Sequence, residues 1–223
     1  MAPTAAELLE NTTAQLAPDP HANPLVPLIA RGEAPRDALA TLALEQSWVI
    51  PADRAAFLHL ARRATGEPEA AAYFEMLAEG ESLAEERLRP FASACGIDEA
   101  RSRAYDPLPG CQAYPAYVAW LALNASPADT VLAVTANFSA WGGYCAQIAR
   151  ALRVHYGFRD EACAFFDFFA QPAPELDRTA RAAVQAGLDT GTLSEERAHA
   201  YGRLLQSYEA MFWSTLSTLP SLP

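Results

Sequence analysis

Lysine is missing altogether: every one of the 16 basic residues is arginine. That absence excludes a Schiff-base lysine and the lysine of a phosphate-binding loop, and several enzyme classes with them. Set against 27 acidic residues, the arginines leave a formal net charge of −11. Phosphate neutralisation needs a basic face, so no nucleic-acid partner is expected. Cysteine is sparse too. Cys95, Cys111, Cys145 and Cys163 show neither CxxC spacing nor the density of a disulfide framework, and they read as reduced thiols. No window is long and apolar enough to span a bilayer. Met1 to Leu16 carries Glu7 and Glu10 where a secretory signal would have basic residues and an apolar run. The expectation is a cytoplasmic protein with no membrane partner. Linker-like composition and fixed-period repeats are also lacking, which predicts a single domain over 1–223.

Strand signals are few, with no Asn-Gly or Asp-Gly hairpin turn between alternating apolar runs, whereas helical spacing fills most of the length. The fold class expected is all-α, a helical bundle with a substantial core, given 51% hydrophobic residues. A first helix is predicted from Thr4 to Leu16, stopped by Pro18, Pro20 and Pro24, and a short one over Leu25–Ala30 ends at Gly32. A long helix opens at Pro35 and Asp37 and runs to Ala64 with a kink at Pro51. The next starts at Pro68, presents a glutamate-rich face to solvent and stops at Gly96. Asp106 to Gly110 reads as a loop and Tyr114 to Leu123 as a short aromatic helix. Ser126-Pro127-Ala128-Asp129 reads as the cap of a helix that is apolar nearly all round as far as His155, as at the centre of a bundle. Helices over 161–170 and 175–188 follow, and Ser194 begins the last, to about Leu216.

The central helix places Asn137, Trp141 and Tyr144 within two turns, beside Gly142-Gly143. Interior helical glycines cost about 1 kcal/mol each relative to alanine. Either close helix packing or a ligand against the backbone accounts for them. In the last helix Glu209 sits among Tyr208, Phe212 and Trp213. It is either solvated at a rim or buried, and burial would raise its pKa toward that of a general acid or base at neutral pH. Glu45-Gln46 in the long helix is a second polar candidate. Glu196 and His199 form one Glu-x-x-His motif of the kind that binds di-iron, but His21, His59 and His155 lack the partner glutamate, so no metal is expected. No Gly-x-Ser-x-Gly elbow occurs, and no cysteine has a histidine at a recognisable spacing. The run Phe165-Phe166-Asp167-Phe168-Phe169 holds too many phenylalanines for one helical face, so some are free to line a cavity.

Taken together, these segments resemble the TenA/thiaminase II family. The resemblance is carried by Asn23-Pro-Leu-Val-Pro-Leu, by Glu45-Gln46-Ser-Trp48, by the central helix and most firmly by Tyr208-Glu209-x-x-Phe212-Trp213. It implies a heme-oxygenase-like helical fold, a homo-oligomer (dimer or tetramer), a small-molecule ligand and pyrimidine chemistry in thiamin salvage. It makes Glu209 the catalytic glutamate for proton transfer. Substrate-binding positions implied are Gln46, Tyr117, Asn137, Trp141, Phe169 and Tyr208. Glu45 joins them as a pocket acid if the register shifts by one. The sequence departs from the family pattern where Gln46 replaces the aspartate that holds the aminopyrimidine, where Asn137 replaces the nucleophilic cysteine, and where the family's tyrosines fall at Val49, at Trp141 and near Phe168 or Phe169. Asparagine is no nucleophile and glutamine carries no charge. The resemblance therefore implies a divergent hydrolase of an aminopyrimidine, with no cofactor. The alternatives are a non-catalytic binding protein and, ranked last, a di-iron oxidase on the same scaffold.

Overall fold

The computed structural model describes residues 3–19 and 23–218; Pro20 and His21 lie outside them. Ten α-helices fill the described residues, without a strand: α1 (Ala5–Gln15), α2 (Leu25–Ala30), α3 (Arg36–Arg63), α4 (Pro68–Ala94), α5 (Glu99–Arg103), α6 (Pro109–Asn124), α7 (Pro127–His155), α8 (Asp160–Ala170), α9 (Pro174–Thr190) and α10 (Glu195–Ser217). None is long and apolar enough to cross a membrane.

Local chemistry fixes most helix ends. Thr4 and Glu7 form a reciprocal capping box at the start of α1, and the Ser194 hydroxyl accepts the Arg197 amide at the start of α10. Gly32 and Gly96, the expected stops, both adopt φ of +72°, the left-handed conformation that an L side chain resists. Some boundaries differ from the sequence expectation. Ser126 does not cap α7 through its side chain; its hydroxyl donates to the Thr192 carbonyl at 3.3 Å instead. The Asp129 carboxylate in the first turn accepts the Ser194 amide at 2.5 Å and Arg197 Nε at 2.9 Å, which ties the start of α10 to the start of α7. Of the segment read as a loop, Asp106 to Leu108 is one, but Pro109 and Gly110 already belong to α6, because Pro109 takes the first-turn position that suits its fixed φ. Gly110 is tolerated there because α6 presses on α10: a Cβ at Gly110 would lie 3.2 Å from Thr215 Cβ. α5, at five residues, is too short to leave a periodic signal. α3 stays helical through Pro51. On α4, Glu75, Glu79, Glu85 and Glu86 face solvent as expected, but Glu81 is buried.

α3 packs along α4, α6 lies across α3 and α10, and α7 and α8 close the bundle against α4 and α10. The buried apolar residues separate into two clusters. One holds Leu39, Leu42, Phe91, Leu152, Phe166 and Trp213; the other holds Phe57, Phe74, Leu121, Leu132, Val184 and Leu205. The long helices run through both. Where each passes from one cluster to the other it carries a buried polar residue: Asp53 on α3, Glu81 on α4, Asn137 on α7 and Glu209 on α10. Tyr114 of α6 sits at the same level, between Cys111 and Tyr117. A polar layer thus lies between two apolar cores, and burial of that kind is costly unless the groups are paired or serve a ligand.

Packing is tight elsewhere. A Cβ at Gly187 of α9 would stand 2.9 Å from Ala128 Cβ and 3.0 Å from Leu193 Cβ, atoms close to the backbone that cannot swing aside. Gly187→Ala is expected to destabilise by about 1–3 kcal/mol through overpacking, read as a lowered denaturant midpoint at unchanged slope.

Candidate functional site

The polar layer encloses a chamber of about 60 Å³, walled by Val49, Ile50, Phe138, Trp141, Phe212 and Trp213 among its apolar residues. A water needs about 10–15 Å³ of such space, so the chamber alone has room for roughly four to six waters, and a ring lodged there must extend into the neighbouring groove. A wider groove of about 1110 Å³ adjoins it between α1, α4, α7, α8 and α9, sharing Glu81, Phe138, Trp141 and Phe169.

Glu209 occupies the end of the chamber formed by α7 and α10. Of the two sequence readings, rim or interior, the interior one holds: the residue is 9% exposed. Its Oε2 accepts Asn137 Nδ2 at 2.7 Å and its Oε1 accepts Trp213 Nε1, one turn along, at 3.3 Å. Asn137 Oδ1 in turn accepts the Tyr114 hydroxyl at 2.9 Å. The chain Tyr114, Asn137, Glu209 therefore points its donors toward the carboxylate and fixes the amide's orientation. Burial raises the Glu209 pKa to about 7, with the Asn137 and Trp213 hydrogen bonds opposing the rise. Trp141 stacks obliquely on Trp213 at 5.8 Å and meets the edge of Phe169 at 5.7 Å, so three rings frame one side.

Two further carboxyls line the chamber, and sequence reasoning missed both. Asp53 is 4% exposed and its Oδ1 has no hydrogen-bond partner; Glu81 is 8% exposed. Burial lifts Asp53 to about 8, and burial followed by the charge of Asp53 lifts Glu81 well above the carboxylate range. Tyr114 is pushed up in the same way, by burial first and then by the surrounding acids. Asp53 follows Gln46 by seven residues, two helical turns on one face, so the spacing was available as a signal. Because its carboxyl keeps its proton in the fold up to about pH 8, but loses it near pH 4 when unfolded, the folded state binds the extra proton. Stability is thus expected to fall as pH rises across that interval. Asp53→Asn should flatten the fall and raise the melting temperature at pH 8, as read by thermal denaturation from pH 5 to 9.

The profile of the TENA/THI-4/PQQC family matches residues 19–217. The chain belongs to that family. Similar solved structures include a TenA family transcription regulator from Silicibacter sp., with a TM-score of 0.73 at 15% identity over 95% of this chain and 97% of that one. A TenA homologue from P. horikoshii gives 0.69 at 16% over 96% and 98%. A domain of unknown function with a heme oxygenase-like fold from Shewanella denitrificans gives 0.68 at 14% over 95% and 88%. The likeness establishes a TenA-type, heme-oxygenase-like fold. No curated protein matches the chain significantly.

Of the positions that the TenA resemblance nominated, Gln46, Asn137, Trp141, Phe169 and Glu209 line the chamber. Three do not. Glu45 is turned away, fully buried, and accepts the Tyr105 hydroxyl, the Leu108 amide at 2.7 Å and Gln112 Nε2 at 2.6 Å. It anchors the connection from α5 into α6, a role that one step of helix rotation from Gln46 dictates. Tyr117 and Tyr208 lie beyond the chamber and pack on each other with ring centroids 5.2 Å apart, because Tyr114, one turn earlier on α6, takes the inward position. Gly142 answers to packing: a Cβ there would stand 3.0 Å from the Phe169 carbonyl. Gly143 meets nothing within 4 Å and has no such reason. His199 hydrogen bonds Thr12 Oγ1 at 2.8 Å while Glu196 is exposed, and among the described residues no three of His, Cys, Asp and Glu converge as metal ligands. Cys145 is fully buried with its thiol pKa raised, an inert core residue.

Proposed function

We propose that this TenA-family chain is a hydrolase of a small amino-substituted heteroaromatic ring, an aminopyrimidine in thiamin salvage, with Glu209 as the group that moves the proton. The observation that carries the reading is the Glu209 carboxyl, enclosed by aromatic rings and hydrogen bonded by Asn137 and Trp213, with a pKa of about 7. A carboxyl at that value is both acid and base at neutral pH, which is what a hydrolysis needs at its two ends. Water attacks the carbon that bears the departing amino group while Glu209 takes one of its protons. The carbon–nitrogen bond then breaks, and the same proton goes to the departing nitrogen, giving the hydroxylated pyrimidine and ammonia. The attack comes from water because Asn137 stands where the resemblance places a cysteine, and here Asn137 serves to hold Glu209.

The loss of that nucleophile is also what favours the second reading, a binding protein without turnover. One pair of measurements separates the two. Aminopyrimidines should raise the melting temperature in proportion to the logarithm of their concentration, and should release ammonia. Stabilisation without ammonia supports the binding protein; stabilisation only by unrelated aromatic molecules removes both pyrimidine readings. A cytoplasmic homo-oligomer, dimer or tetramer, belongs to the same proposal, and the exposed Trp48, Trp120, Leu123 and Met211 offer apolar surface for assembly.

A further inference from the structure

The chamber holds three carboxyls, Asp53, Glu81 and Glu209, and not one arginine or histidine among its lining residues. Glu209 has donors from Asn137 and Trp213. Asp53 is different: its Oδ1 is buried on the chamber wall and accepts from nothing. The titratable groups of the same layer are Glu81 from α4, Tyr114 from α6 and Glu209 from α10, with Tyr73 of α4 beyond, all acids or phenols; Gln46 and Asn137 add neutral amides to the lining. Burial holds these acids uncharged, and no cationic side chain in the lining favours their ionised forms, so a positive charge there would have to come from outside the protein.

We propose that Asp53 and Glu81 form the seat for a cationic nitrogen group, an ammonium or amidinium carried on a single flat ring, which the ligand brings into the chamber. The geometry fits that class in three ways. The unpartnered Asp53 oxygen is an acceptor waiting for a donor, and a charged N–H satisfies it with the stronger kind of hydrogen bond. Trp141, Phe138 and Trp213 present ring surface, which attracts a flat cation and would not hold a hydrated metal ion as well. The chamber's space of about 60 Å³ admits the charged nitrogen group itself, while Glu81, Phe138 and Trp141 also line the adjoining groove of about 1110 Å³, which has space for the ring. The seat lies at positions distinct from Gln46, where the TenA resemblance expected the ligand-binding acid. The inference rests on the pocket assigned above but needs occupancy alone, not turnover.

Cation binding carries a proton signature. In the empty chamber burial keeps Asp53 and Glu81 protonated near neutral pH, and a bound cation favours their ionised forms, so binding expels a proton into the buffer. Affinity for the cation should therefore rise with pH through the Asp53 value of about 8, while a neutral ring shows no such dependence.

The test is calorimetric titration with benzamidine and with its neutral analogue benzamide, in phosphate and in Tris at pH 7, on the full chain, Asp53→Asn and Glu81→Gln. Benzamidine is expected to bind about tenfold or more tighter than benzamide, with a buffer-dependent heat that reports roughly one proton released. Each variant should lose about tenfold in benzamidine affinity and keep benzamide within about twofold. Benzamide binding as tightly as benzamidine, no binding of benzamidine, or both variants retaining wild-type affinity for it would overturn the proposal. Both variants keep side-chain size, and if one does not fold, the wild-type preference and the other variant decide. A chain that never releases ammonia leaves this seat standing, and a chain that prefers benzamide leaves the Glu209 chemistry standing.

Discussion

Glu209→Gln is expected to lower kcat on an aminopyrimidine by about 10²–10⁴-fold while changing its Kd by no more than a few-fold. Glutamine fills the same volume and offers an oxygen to Asn137 or to Trp213, so the chamber and its rings stay in place. What it cannot do is accept and return a proton at neutral pH. The pH profile carries the same information. Between about pH 6 and 8 the wild-type rate should bend at the Glu209 value of about 7, and whatever rate the variant retains should be flat there. Equal losses in kcat and in affinity would make Glu209 a binding group instead, and the binding-protein reading would gain.

Glu45→Ala should be the most damaging single change for stability, although Glu45 is one residue from the chamber. Its fully buried carboxylate accepts from Tyr105, from the Leu108 amide and from Gln112. Truncation leaves those three half-buried donors without their acceptor, each at the lower end of the cost of an unmade hydrogen bond, about 3–5 kcal/mol together. For a chain of this length that corresponds to roughly 6–20 °C in melting temperature. Ligand affinity measured well below the transition should change little, since Glu45 does not line the chamber. A melting temperature within about 2 °C of wild type would refute the anchoring role.

The all-α fold was legible because its information is local. Proline at first-turn positions, glycine at left-handed stops and three-to-four-residue apolar spacing marked α2, α3, α4, α8, α9 and α10 to within a few residues. What failed was what depends on neighbours. Gly110 reads as a loop residue until α10 is seen pressing on it, and Glu81 reads as one more solvent-facing glutamate until α3 is seen covering it. The site divides along the same line. Glu209 and Trp213 could be named from their apolar setting and motif. The choice between Glu45 and Gln46, or between Tyr114 and Tyr117, depends on helix rotation within the bundle, and a shift of one residue on a helix turns a side chain by about 100°. Asp53 carries no motif at all. Beyond its seven-residue spacing from Gln46, its importance comes from α3, α4, α6, α7 and α10 each bringing a polar group to one level of the bundle.

That layer makes the ionisation state of Glu209 the centre of the account. It can be read directly by ¹³C NMR of the chain labelled at glutamate Cδ, with Glu209→Gln identifying the resonance. The account predicts a titration of that signal with a midpoint of about 7, displaced upward from the ordinary glutamate value. A Glu209 signal already ionised at pH 5 and unchanged up to pH 8 would contradict it, because a carboxylate that never takes up a proton in that range cannot pass one between water and a leaving nitrogen.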